Sequence, residues 1–177
     1  VHTANSSASL RNLDLTTDIV RVGIAIYGIA PSVELESTSI KLKPVMSVHA
    51  RVSHLQRLGA GEGISYGLRY KLEQPATIAT LPIGYADGIP RRLRSVGGEV
   101  LINGARCPIV GVVTMDQLMV NCGEMPVKIG DQVVLLGSQG SQTITANQIA
   151  TSLETIGYEI VCGISSRVPR RYITSKK

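Results

Sequence analysis

The sequence predicts a mostly β protein: an antiparallel domain with one small helix, in closed or barrel-like form, preceded by a short unit of a different kind. Three observations carry this. Six strand-like runs rich in Val and Ile, at 45–58, 76–84, 98–103, 106–113, 116–122 and 131–137, are punctuated by Gly, Pro or Asn. Asn103-Gly104 falls between two of them, the pair that a two-residue type I′ hairpin turn asks for. Ahead of them, residues 31–44 are polar, with Pro31, Ser37, Thr38, Ser39 and Pro44, and read as a linker.

The first element is the apolar run 19–30, IVRVGIAIYGIA. It reads as a strand buried on both faces, broken by Gly23 and Gly28, that ends in a ligand-facing turn. The β-rich runs follow the linker, and a single helix interrupts the strands at about 146–156. There Thr145 and Gln148 make a capping box, Ile149, Leu153 and Ile156 share a face, and Gly157 is placed to stop the helix. No period of 20–50 residues recurs, which excludes a repeat array.

At 177 residues the chain is long enough for one good core, or for one domain and part of another. Its 44% apolar content and mean hydropathy of +0.17 mark a folded chain rather than a disordered one. Phe and Trp are absent, so the core is built from aliphatic residues and the aromatic platforms of a single-strand nucleic-acid binder are scarce. The net charge of +5 is dispersed, except at Arg91-Arg92 and in the tail from Arg170, and an anionic small ligand accounts for it as well as nucleic acid does. No run reaches the roughly 20 apolar residues of a membrane-spanning helix, and no signal pattern opens the chain, so a cytoplasmic setting is expected. Cys107, Cys122 and Cys162 are odd in number and far apart in sequence, and they read as buried structural thiols, with neither a disulfide framework nor a metal site. Val1 is not an initiator Met and the chain opens inside a motif, so it reads as a fragment.

Several short motifs hold residues able to do chemistry. Arg21 lies inside an apolar run, where a guanidinium needs a strong polar partner; it could equally be a strand-end residue paired with Asp18. Ser6, Gly23 and Ile24 offer a hydroxyl and two backbone amides, a set that suits a phosphate dianion, although Ser6 also suits a turn. Tyr66 lies in Gly63-Ile64-Ser65-Tyr66-Gly67, where glycines allow a ring to be presented from a loop; packing is the alternative. Gly84-Tyr85-Ala86-Asp87-Gly88, Thr114-Met115-Asp116-Gln117 and Arg167-Val168-Pro169-Arg170 complete the series.

Taken with His2-Thr3-Ala4-Asn5-Ser6 and Val20-Arg21-Val22-Gly23, in this order and at these separations, the series closely resembles the C-terminal half of bacterial alanine racemases, over nearly the whole chain. The resemblance implies that residues 1–42 are the last strands of a TIM-type (β/α)8 barrel and that 43–177 form the family's β domain. It implies pyridoxal 5′-phosphate (PLP) as cofactor, held by Asn5, Ser6, Gly23 and Ile24 at the phosphate and by Arg21 at the ring nitrogen. His2 then orients Arg21. Tyr66 becomes one of two opposed bases that move the α-proton of alanine, Met115 turns its backbone N–H to the substrate carboxylate, Asp116 orders that loop, and Tyr85 lines the entrance. A homodimer is implied as well, with Tyr66 and Met115 serving the partner's cofactor, and so is a role in supplying D-alanine for peptidoglycan.

None of the six lysines stands in the setting of the family's PLP-binding lysine, which is the second base, so the piece alone is expected to be inactive. Two positions depart from the family pattern. Ser166 replaces a Tyr before the Arg-Val-Pro-Arg run, and Val112 follows Gly111 where the access corridor usually has an Arg. Both changes widen or neutralise the corridor, so a serine or broad-spectrum amino-acid racemase is the alternative within this architecture. A non-catalytic β-barrel binding module is the alternative outside it.

Overall fold

The computed structural model describes residues 2–11, 18–36 and 40–173. Ser37, Thr38 and Ser39 of the expected linker and the last four residues of the basic tail lie outside them. The first unit holds β1 (His2–Asn5), α1 (Ser6–Leu10) and β2 (Ile19–Arg21). The two strands pair in parallel, His2 opposite Ile19 and Asn5 opposite Arg21, with a register shift between Thr3 and Asn5.

The long buried strand expected at 19–30 is corrected here. β2 stops after Arg21, all three of its residues are exposed, and a 3-10 turn at Ile24–Tyr27 follows. Gly28, in the left-handed region, closes that turn. The apolar pattern that suggested burial instead leaves Ile19 at 63% and Ile26 at 66% exposure. Among the described residues, the two-stranded sheet has no third strand to bury it.

The remaining strands form the domain. They are β3 (Val48–Arg51), β4 (His54–Leu58), β5 (Gly63–Ile64), β6 (Tyr70–Lys71), β7 (Ala76–Leu81), β8 (Glu99–Ile102), β9 (Ala105–Val110), β10 (Leu118–Asn121), β11 (Gln132–Gln139) and β12 (Gln142–Ile144). The six expected runs all contain strands, and the 45–58 run is split into β3 and β4. The β8–β9 turn has Asn103 at φ 50° and Gly104 at φ 78°, the two positive values of a type I′ hairpin.

The large sheet has eight strands, all antiparallel, in the order β12-β11-β8-β9-β10-β7-β4, with β3 against β11 off that path. The ladder is therefore not closed. It is curled instead, because only Val52-Ser53 separates β3 from β4, and this one stretch of chain serves both ends of the sheet. Val52 N–H donates to Asp131 O at 3.0 Å and Ser53 N–H to Thr80 O at 2.9 Å, one toward each end. The curl encloses the main core, where Leu81, Val100, Ile102, Leu118, Val120 and Val133 are fully buried. On the other face of β8 and β11, Leu101 and Val134 pack with Ile144 beneath Ile149 of the first C-terminal helix, α2 (Ala146–Leu153).

The capping box at α2 is present: Thr145 Oγ1 accepts from Gln148 N–H at 3.1 Å, and the Gln148 side chain accepts from Thr145 N–H at 2.9 Å. The single helix to 156 is corrected, since α2 ends at Glu154 in the left-handed region and a second helix, α3 (Gly157–Gly163), follows. Ile156 is exposed in the link. Gly157 opens α3 rather than stopping α2, and its lack of a side chain matters for space: a Cβ there would lie 2.4 Å from Asn147 Oδ1. Among the described residues no helix is long and apolar enough to cross a membrane.

Candidate functional site

The candidate residues fall into two groups. The first is at the ends of β1 and β2, where the parallel pairing joins His2 to Arg21, 19 positions apart in sequence, and Ser6 to Gly23, 17 apart. Arg21 Nη1 lies 3.2 Å from His2 Nδ1. The guanidinium is exposed, not buried in a strand as the sequence suggested. Its fork therefore keeps donors facing outward while the imidazole fixes its plane. Ser6 is buried, and its Oγ accepts Gly23 N–H at 2.9 Å and Ala25 N–H at 3.4 Å.

The hydroxyl and the Gly23 amide thus meet, but the amide is spent on Ser6 rather than aimed outward. Beside Gly23 the space is open, with nothing within 4 Å of where a Cβ would stand. Ile24 is buried at the start of the 3-10 turn. Asn5 caps α1, its Oδ1 accepting Ala8 N–H at 3.1 Å.

The second group lines a cavity of about 540 Å3 formed by Tyr66, Tyr85, Arg91 and the 112–117 turn. Tyr66 lies on a 3-10 turn after β5, entered through Ser65 at φ 66°, and its side chain is 76% exposed. Ser65 Oγ donates to Val112 O at 3.3 Å, and a Cβ on Gly111 would sit 2.6 Å from Ser65 Cβ, so this turn rests directly on residues 111–112. Tyr66 is therefore presented, not packed. Thr114 knots its own turn, Oγ1 donating to Gln117 O at 2.9 Å and accepting Gln117 N–H at 3.2 Å, which leaves Met115 and Asp116 at the exposed tip. Tyr85 reaches the same cavity from the 3-10 turn Tyr85–Asp87.

Of the two departures, Val112 lines this cavity, whereas Ser166 is exposed and outside its lining. A larger cleft of about 900 Å3 lies between residues 27–30, 35–36 and 40–46 on one side and α2 on the other, and contains none of the candidate residues.

The sequence reading gave no role to Asp87, Arg91 or Arg167. Asp87 Oδ2 accepts Gly84 N–H at 2.8 Å while its Oδ1 is 3.5 Å from Arg167 Nε, and Arg167 Nη2 is 2.5 Å from Asp116 Oδ1. The hydrogen bond to Asp116, with the charge of Asp87 beside it, raises the pKa of Arg167 above the ordinary guanidinium value. The sequence signal for Arg167 is the Arg167-Val168-Pro169-Arg170 motif, with an arginine at each end. The thiols are corrected as well: Cys107 and Cys122 are buried neighbours, their thiols donating to the carbonyls of Ala105 and Val120 at 4.0 Å, whereas Cys162 is exposed. Among the described residues no cluster of His, Cys, Asp and Glu is fit for a metal ion.

The chain thus joins a curled antiparallel domain bearing a tyrosine-lined cavity to a parallel strand pair with a hydroxyl and a guanidinium at its end. Residues 45–172 match the family described as alanine racemase, C-terminal domain, and the chain belongs to that family. It is 50% identical over 97% of its length to an alanine racemase of Symbiobacterium thermophilum, and 45% identical over its whole length to that of Geobacillus stearothermophilus. The alanine racemase of Bacillus anthracis, solved with bound L-Ala-P, superposes with a TM-score of 0.94 over 99% of the chain at 48% identity. The chain spans about half the length of these relatives, 45% in each case.

Proposed function

We propose that the protein containing this chain is a PLP-dependent alanine racemase that interconverts L- and D-alanine by a two-base mechanism. The observation that carries this is the division of the candidate residues into a guanidinium–hydroxyl group on the parallel strands and a tyrosine-bearing cavity on the β domain. In this reading residues 1–42 are the last strands of a (β/α)8 barrel, which the parallel β1–β2 pair supports. The enzyme is a cytoplasmic homodimer in which Tyr66 and Met115 complete the partner's site, and its product is D-alanine for peptidoglycan.

The residues present fit the cofactor. Open space beside Gly23, next to the buried Ser6 hydroxyl, suits a phosphate, with Ile24 at the adjoining turn and Asn5 just before Ser6 in the chain. Arg21 suits the ring nitrogen, with His2 orienting it. When bound, PLP supplies an electron sink for the carbanion formed at the substrate Cα.

A guanidinium cannot accept a proton, so Arg21 keeps the ring nitrogen largely unprotonated and the sink moderate. Tyr66 takes or returns the α-proton at its phenol oxygen on one face. The opposite face needs the cofactor-binding lysine, for which no lysine of this chain is suited. Met115 N–H binds the substrate carboxylate, Asp116 holds that turn, and Tyr85 narrows the entrance.

The test is α-proton exchange in D2O by the full-length protein loaded with PLP. Wild type exchanges from both enantiomers, and Tyr66→Phe loses exchange on one face only. Loss from neither face, or equal loss from both, contradicts the role given to Tyr66. The chain alone, lacking the lysine, racemises nothing, and turnover by it would refute the two-base reading.

Val112 on the cavity wall, where an Arg would add bulk and charge, favours a second reading in which serine is tolerated beside alanine. A serine-to-alanine kcat/KM ratio that is not lowered by Val112→Arg counts against it.

A further inference from the structure

The racemase reading leaves the Arg167-Val168-Pro169-Arg170 run without a task. The Arg170 guanidinium folds back on its own loop, Nη1 donating to the carbonyls of Ser165 and Val168 and Nη2 to that of Ile164 at 2.8 Å. Three carbonyls on one planar fork make a rigid base. From this base Arg167 reaches two other turns at once, meeting Asp116 Oδ1 at 2.5 Å and Asp87 Oδ1 at 3.5 Å.

Both turns belong to the cavity. Asp87 is buried and anchored at both ends, its Oδ2 accepting Gly84 N–H and its carbonyl accepting Ser165 N–H at 3.0 Å. Tyr85 N–H donates to Thr114 O at 2.9 Å and Ala86 N–H to Met115 O at 3.0 Å. A Cβ at Gly84 would stand 2.3 Å from Thr114 O, so only glycine lets the two turns close this far. Arg167 stands behind the cavity, outside its lining.

We infer that Arg167 is a positioning residue that locks the Tyr85 turn to the Met115 turn and neutralises Asp87 and Asp116 behind the substrate-carboxylate position. Without it, two carboxylates tied to the cavity wall face an incoming carboxylate, and like charges repel. Arg167 is half exposed, and ion pairs of that kind add little to folding, so its loss is read in binding rather than in stability. The inference rests on the racemase reading for the identity of the substrate, but the clasp itself has a readout that needs no activity.

The test uses the full-length protein with PLP. Arg167→Met raises the alanine KM by about tenfold with kcat within about twofold and an unchanged Tm, the pattern of lost substrate binding. Arg167→Lys recovers part of it. Adding Asp116→Asn to Arg167→Met lowers KM again, because the uncompensated charge is gone. Hydrogen exchange at the amides of Tyr85 and Ala86 quickens in Arg167→Met by about fivefold or more, as local opening requires. Unchanged KM and exchange overturn the inference, and so does a joint fall of kcat and Tm, which would mean a purely structural role. If wild type does not turn over alanine, the racemase reading fails and amide exchange alone decides the clasp.

Discussion

The β1–β2 pair and the curled sheet sit in one chain and are built on opposite terms. In the sheet, strands β7, β8, β10 and β11 carry residues at 0% exposure, and β8 and β11 are buried on both faces. In the pair, every residue of β2 is exposed. The difference teaches where each kind of residue can do its work. A dense, self-supporting sheet holds loop turns still, and Tyr66, Tyr85 and Met115 are all presented from such turns. A thin parallel pair brings polar groups to its strand ends but buries little, Ala4 alone on its two strands.

The sharpest break between the two regions comes from function in the full-length protein. Under the proposed racemase function, Arg21→Glu and Tyr66→Phe each lower kcat by about 100-fold or more, because each would remove a group that acts on developing charge or a moving proton, and steady-state racemisation measures this. Stability separates the regions next. In the 177-residue chain by itself, Leu118→Ala, inside the sheet, costs about 2–5 kcal/mol in denaturant unfolding, whereas Val20→Ala on exposed β2 stays within about 0.5 kcal/mol. Equal costs would mean that the pair is as well packed as the sheet. A smaller effect is expected at α2, where Thr145→Ala removes half of the capping box and costs about 1 kcal/mol.

The mildest probe is thiol chemistry. Hydrogen bonding to Cys122, then burial, pushes the Cys107 thiol up, whereas the hydrogen bond from Cys107 lowers Cys122, so a thiolate of this buried pair would rest on Cys122. Both are nevertheless shielded from solvent, so an alkylating reagent modifies exposed Cys162 and spares both until the protein unfolds. Mass spectrometry of the labelled protein reads this directly.

The parts of the fold legible in the sequence are those where local chemistry and burial agree. The six strand runs, the Asn103-Gly104 turn and the Thr145–Gln148 cap all belong to this class. β2 was overread because an apolar run says nothing about which neighbours will cover it. α3 was missed because Glu154, not a glycine, takes the left-handed position that ends α2, while Gly157 is small for the sake of its contact with Asn147. β12 has three residues, too short a span for alternation to show.

The candidate site was legible as a set of motifs, and the structure gathers Tyr66, Tyr85, Met115 and Asp116 on one cavity. The partners of those residues were not legible. Asp87 and Arg167 are 80 positions apart and meet only because the 84–88 turn packs on the loop after α3.

The central claim, that the two groups of residues complete one site only across two subunits, is tested most directly by mixing inactive variants. Full-length Arg21→Glu and Tyr66→Phe proteins are unfolded and refolded together with PLP. If the site is shared, each mixed dimer has one intact site and one doubly damaged site, and racemisation returns to about a quarter of the wild-type rate at equal mixing. If mixing leaves the activity at the level of the separate variants, Arg21 and Tyr66 serve the same chain and the account is wrong.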